Sequence, residues 1–178
     1  MGGMSRYFDS GQISLAGRSF AQAEQLAGRY FSVAPAEWKK YRYDVRTLAF
    51  LDEHEVREGA FAHLCKYEYG KEPESASTGR QFYRVCLQDD RILNAIERAN
   101  SFIRPAPLLL YIAAHELVHV IRFSRGEGNF DASDGERARE EEKVHRITRS
   151  LLKPVTDTDL NLVLDCFSDR YQIGDLMQ

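Results

Sequence analysis

His115-Glu-Leu-Val-His119 places two imidazoles four residues apart, with a carboxylate directly after the first. On a helix, positions four apart lie one turn above each other on the same face. His115 and His119 can therefore grip one metal ion together, while Glu116 projects beside that face. A zinc ion with three protein ligands and one open position lowers the pKa of a bound water to about 7, and a neighbouring carboxylate can take the proton as that water attacks a carbonyl. This is the residue set and spacing that such hydrolysis requires. The trio is embedded in Ala113, Ala114, Leu117, Val118, Val120 and Ile121. Two histidines and a glutamate buried in such surroundings are costly unless a metal and hydrogen bonds compensate them. The pattern predicts a zinc centre on His115 and His119, with Glu116 as the general base.

A third ligand must come from elsewhere. The next charged segment offers Glu136, Glu140, Glu141 and Glu142, ahead of an apolar stripe of Val144, Ile147, Leu151 and Leu152. At 100° per residue Glu142 falls well off that stripe, whereas Glu140 and Glu141 flank it about equally. Periodicity leaves both open. Most of this charge run reads as a solvated face carrying i,i+4 pairs such as Arg137 with Glu141.

The elements that must position these groups follow from patterning. Residues 1–15 read as a polar lead-in, and 19–31 as an amphipathic helix broken by Pro35. Residues 36–41 can begin another helical turn, and 41–51 fit strand and helix equally. Residues 59–69 and 80–88 read as an antiparallel hairpin around a polar loop at 70–79. Residues 90–102 suit a helix. Pro105 and Pro107 suit the first turn of the next, over 106–124, because proline there forgoes a donor that has no partner anyway. That helix is apolar almost all round from Leu108 to Ala114, which predicts a central position. A glycine-containing connection at 125–135 reads as a surface loop, with a lid as the other possibility. Ser133 and Glu136 have capping-box spacing for a helix over 134–152, ended by Pro154. A last helix runs over 157–171. Helix, then strands, then helices predicts an α+β chain with a small mixed or antiparallel sheet packed on the His115/His119 helix and further helices C-terminal to it.

Bulk properties narrow the class. The 178 residues are 43% hydrophobic and carry 24 basic against 27 acidic side chains, a formal charge of −3. That is enough chain for one sizeable core, so one domain over 1–178 is expected, and it is too apolar for intrinsic disorder. The mildly acidic balance argues against a nucleic-acid partner. The N-terminus lacks the apolar core of a secretory signal, and the run 105–121 carries His115, Glu116 and His119, which lipid would penalise, so neither export nor membrane insertion is expected. Cys65, Cys86 and Cys166 form no close-spaced pair and fit reduced thiols in a cytoplasmic protein, acting as small buried hydrophobes. His54 and His63 read as surface or packing residues.

On these motifs the chain resembles a zincin metallopeptidase of the gluzincin kind. It is most similar to the ImmA/IrrE type of domain, whose later helix reads roughly E-x-x-A-N-x-F-A-x-x-L-L-x-P. Glu141, Val144, His145, Ile147, Thr148, Leu151, Leu152 and Pro154 fall at those steps. The resemblance, spanning about 108–154, implies a zincin-like fold, a zinc site completed by Glu141, and hydrolysis of peptide bonds in a peptide or protein substrate. His145 stands where the family has an Asn or Asp behind the ligands, which leaves it to orient His115 or His119, to approach the metal, or to do neither. In zincins the strand before the active-site helix commonly lies at the sheet edge and receives substrate as an added strand, a role open here to 80–88. No recruiting domain such as a helix-turn-helix is visible. Three other readings fit the same residues: a zinc-stabilised domain that binds polypeptide without cutting it, a metal-free structural protein in which the trio is a buried polar network, and a zinc amidase acting on a non-peptide amide.

Overall fold

Asp9 starts the first helix. Its carboxylate accepts from the Gln12 N–H at 2.8 Å, and the Gln12 side chain accepts from the Asp9 N–H at 2.8 Å, satisfying two donors that a helix start leaves unpaired. In the computed structural model, which describes residues 5–69, 80–99, 102–155 and 157–167, helix α1 (Ser10–Phe31) follows. It begins earlier than the apolar spacing predicts, because Ser10, Gln12, Gly17 and Arg18 dilute the stripe over its first turns and the cap supplies the missing signal. Ser32, in the left-handed region at φ 55°, ends it.

A 3-10 turn (Pro35–Lys40) leads to strand β1 (Tyr43–Arg46), and a second such turn (Leu48–Phe50) follows, so the ambiguous stretch divides between both readings. Strands β2 (Ala62–Tyr69) and β3 (Arg80–Leu87) pair antiparallel; the polar loop expected at 70–79 lies outside the described residues. The sheet order is β1-β3-β2, with β1 parallel to β3. This overturns one expectation. The strand over 80–88 is central and paired on both sides, so it has no edge to offer; β2 is the edge strand beside the helix that bears the histidines.

Helices α2 (Asp89–Arg98), α3 (Pro105–Ser124), α4 (Asp134–Leu152) and α5 (Thr158–Cys166) complete the described residues, and the end of the helix expected over 157–171 lies outside them. The buried Asp89 accepts from the N–H groups of Phe8 and Leu48, tying three segments at the start of α2. Ser133 takes the N-cap position of α4 without a side-chain cap bond. Helix α3 is buried from Pro107 to Arg122 and packs against α1, α4, α5 and β2. It is long and apolar enough to cross a membrane, yet 89% of its apolar window is buried within the fold. Leu108, Ile112, Leu117 and Val118 meet Phe20, Ala23, Val85, Leu87, Val144 and Leu152 in the core. Each fully buried Leu or Ile contributes roughly 1.5–3 kcal/mol.

The opposite sheet face is polar. Arg84 donates to Asp44 and Glu55 at 3.0 Å, and its guanidinium sits over the Tyr67 and Phe82 rings. Glu55 is fully buried. Burial works against its charge, but hydrogen bonds from Tyr67, the Asp52 loop and Arg84 outweigh it and hold the carboxyl down to about 2. A folded-state value below that of an unfolded glutamate, about 4.3, stabilises the fold above that pH, and the contribution is lost as pH falls toward 2. Wild-type chain should therefore lose stability between about pH 4 and pH 2. Glu55→Gln should flatten that window and cost about 1–3 kcal/mol at neutral pH for the charge-assisted bonds removed, as read by urea unfolding at several pH values.

Candidate metal centre

Tyr111, His115, His119 and Phe123 are four residues apart along α3 and share one face. The His115 and His119 rings lie 4.9 Å apart, Tyr111 stacks on His115, and Phe123 stacks on His119 at 5.3 Å. The aromatic rings thus wall the imidazoles in above and below. Both histidines and Glu116 are nearly inaccessible.

Helix α4 brings Glu141 against this face. One carboxylate oxygen lies 2.8 Å from His119 Nε2 and the other 3.2 Å from His115 Nε2. Two imidazole nitrogens and a carboxylate oxygen fall within 4.8 Å of one another. Which of the two glutamates faces the imidazoles, left open by helical periodicity, follows from the position of a cation. Arg122, buried one turn beyond His119, grips Glu140 with two bonds at 2.6 and 3.0 Å and donates to the Glu127 carbonyl. Glu140 is thereby turned to Arg122, and Glu141 to the histidines. Gly128 makes room for that pair, since a Cβ there would lie 2.6 Å from a Glu140 carboxylate oxygen. Gly126, at φ +71°, turns the chain out of α3. These glycines serve a pinned connection.

Burial alone would push the His115 imidazole down, but the Glu141 and Glu116 carboxylates raise it to about 10. Burial likewise opposes charge on Glu141, and the two imidazoles hold its carboxyl well below the usual range. Two imidazoles facing a carboxylate make a setting that favours a cation between them. The donor set fits zinc, which takes imidazole nitrogen and carboxylate oxygen readily. Glu116 Oε1 lies 3.4 Å from His115 Nδ1, whereas His119 Nδ1 has no hydrogen-bond partner among the described residues. His145 bonds through Nδ1 to the Tyr111 hydroxyl, placing it behind the ring that stacks on His115.

A cavity of about 390 Å³ opens onto this cluster. His115, Glu116, His119 and Glu141 line it from the helices, and Ala62, His63 and Leu64 from β2. Arg57 and Arg137 supply positive charge at its wall, and Phe123 and Phe130 apolar surface. Sequence reasoning missed Arg122, Phe123 and Tyr111 as supports, although the last two are legible at four-residue steps from the histidines. No protein-family model matches the chain, and neither a curated protein nor a solved structure matches it.

Proposed function

We propose that this protein is a zinc-dependent metallopeptidase of zincin-like fold, with zinc held by His115, His119 and Glu141 and with Glu116 as general base. The observation that carries the reading is the Glu141 carboxylate lying within 3.2 Å of both imidazole Nε2 atoms beside a cavity lined by Glu116. Zinc bound there supplies an activated water and polarises the carbonyl under attack. The chain's own residues do the rest. Glu116 accepts the proton from the attacking water and returns it to the leaving amine. Tyr111 and Phe123 hold the imidazole planes, and Arg122 keeps Glu140 away from the ligand position.

An extended polypeptide substrate suits the cavity, because Ala62, His63 and Leu64 of edge strand β2 form one wall and can pair with an added strand. Arg57 and Arg137 are the cations available to stabilise a developing oxyanion. The protein thus acts in this reading as a soluble cytoplasmic hydrolase of peptides or proteins.

Purified chain should cleave unfolded proteins or peptides, lose that activity to chelator and regain it with zinc. His115→Ala should abolish both zinc at this site and cleavage. Persistence of cleavage after exhaustive chelation, or in His115→Ala, would refute the reading.

A further inference from the structure

We propose a second metal site, for a zinc-class ion, formed by His63, Cys65 and Cys86 on the polar face of the sheet. His63 and Cys65 are two apart on β2, and Cys86 is directly opposite His63 on β3, so strand alternation puts all three side chains on one face. Their ligand atoms lie within 4.8 Å of one another. This cluster shares no ligand with the His115, His119 and Glu141 centre, although His63 also lines the cavity there.

Three observations point to a metal. The His63 Nε2 lies 2.6 Å from the Glu55 carbonyl. A carbonyl only accepts, so Nε2 carries a proton, which leaves Nδ1, 4.0 Å from Cys65 Sγ, as the nitrogen able to take a metal. A backbone acceptor on the far nitrogen is how metal-binding imidazoles are commonly oriented. Next, the two sulfurs are 3.8 Å apart. Tetrahedral zinc with bonds of about 2.3 Å to sulfur requires about 3.8 Å between its thiolates, and about 3.6 Å from sulfur to an imidazole nitrogen. Cys86 is fully buried and Cys65 half-buried. Finally, the thiols are poorly placed for the other product two cysteines can give. Cys65 pairs with Arg84 and Cys86 with His63, making the cysteines diagonal neighbours, whose Cα atoms typically lie about 7–8 Å apart and beyond ordinary disulfide reach.

Binding forms two metal–sulfur bonds and one metal–nitrogen bond and releases the two thiol protons to solvent. Nothing is oxidised. Burial raises both thiols, and the Arg84 charge works in the opposite direction. The fourth position is left to a water or an exogenous donor. The ion would cross-link edge strand β2 to β3 and, through His63, to the Glu55 backbone.

The test uses full-length chain in a reducing buffer, loaded with zinc or, as an optical probe, cobalt(II). With both sites filled, about two zinc ions per chain are expected, falling to about one in Cys65→Ser and to about one in Glu141→Gln. Cobalt should give a sulfur-to-metal charge-transfer band in the near ultraviolet. The His115, His119 and Glu141 set contains no sulfur, so the band should survive in Glu141→Gln and vanish in Cys65→Ser. His63→Gln, which keeps a donor for the Glu55 carbonyl, should weaken zinc at this site by at least about tenfold. Circular dichroism establishes that each variant is folded. Absence of the band in wild-type chain with reduced thiols, its survival in Cys65→Ser, or a Cys65–Cys86 disulfide that resists the reductant would each overturn the proposal.

Discussion

Glu116→Gln is expected to keep zinc at the helical site and to lower peptide cleavage by about 10²–10⁴-fold, the usual contribution of a positioned general base. Glutamine matches glutamate in volume and remains able to hydrogen-bond, so the buried position stays filled and polar groups nearby stay paired. It cannot take a proton from water at neutral pH. Glu116 is not in the cluster of ligand atoms but beside it, nearly inaccessible and lining the cavity. Binding and chemistry should therefore separate: an unchanged metal content with kcat lowered far more than KM is altered. Zinc quantification and steady-state kinetics on one peptide substrate read both. A variant that cleaves within threefold of wild type would remove Glu116 from the mechanism, and one that loses zinc would make it a ligand.

Adjacent glutamates on α4 should give opposite phenotypes. Glu141→Gln should weaken zinc at the helical site by at least about 100-fold, since loss of even an outer supporting group commonly costs 10–100-fold, and hydrolysis should fall with it. Glu140→Gln should leave that zinc in place and lower stability by about 3 kcal/mol. Its partner Arg122 is buried, and removing one member of a buried ion pair leaves the other charge uncompensated. Glu127, 3.3 Å from Arg122, softens this loss without matching the two-bond grip of Glu140. Chelator competition for zinc and urea unfolding would show the contrast. If Glu140→Gln released zinc while Glu141→Gln retained it, the ligand assignment would be reversed.

Much of the candidate site is legible before any fold is known, for a local reason. The helical period alone puts His115 over His119 and sets Glu116 beside them; Tyr111 and Phe123 lie on the same line, but their stacking on the imidazoles shows only in the fold. The apolar surround of the trio likewise predicts a central helix, and α3 occupies that place. Start signals are less readable where small polar residues dilute a stripe, as in the first turns of α1, and a capping spacing is not a cap, as Ser133 shows.

The tertiary structure decided what periodicity leaves degenerate. Glu140 and Glu141 flank the α4 stripe equally, and only the approach of α4 to α3, with Arg122 claiming one carboxylate, turns the other to the imidazoles. Strand order is similarly non-local. Alternation in 80–88 reports a half-buried strand but not its neighbours, and the parallel pairing of β1 makes it central, passing the cavity edge to β2. His63, Cys65 and Cys86 read singly as packing residues because their meeting depends on cross-strand register. The sequence by itself determined the groups that one helix aligns. Which groups from separate elements share a site was decided by helix docking and strand register, because those contacts form only when distant segments fold against one another.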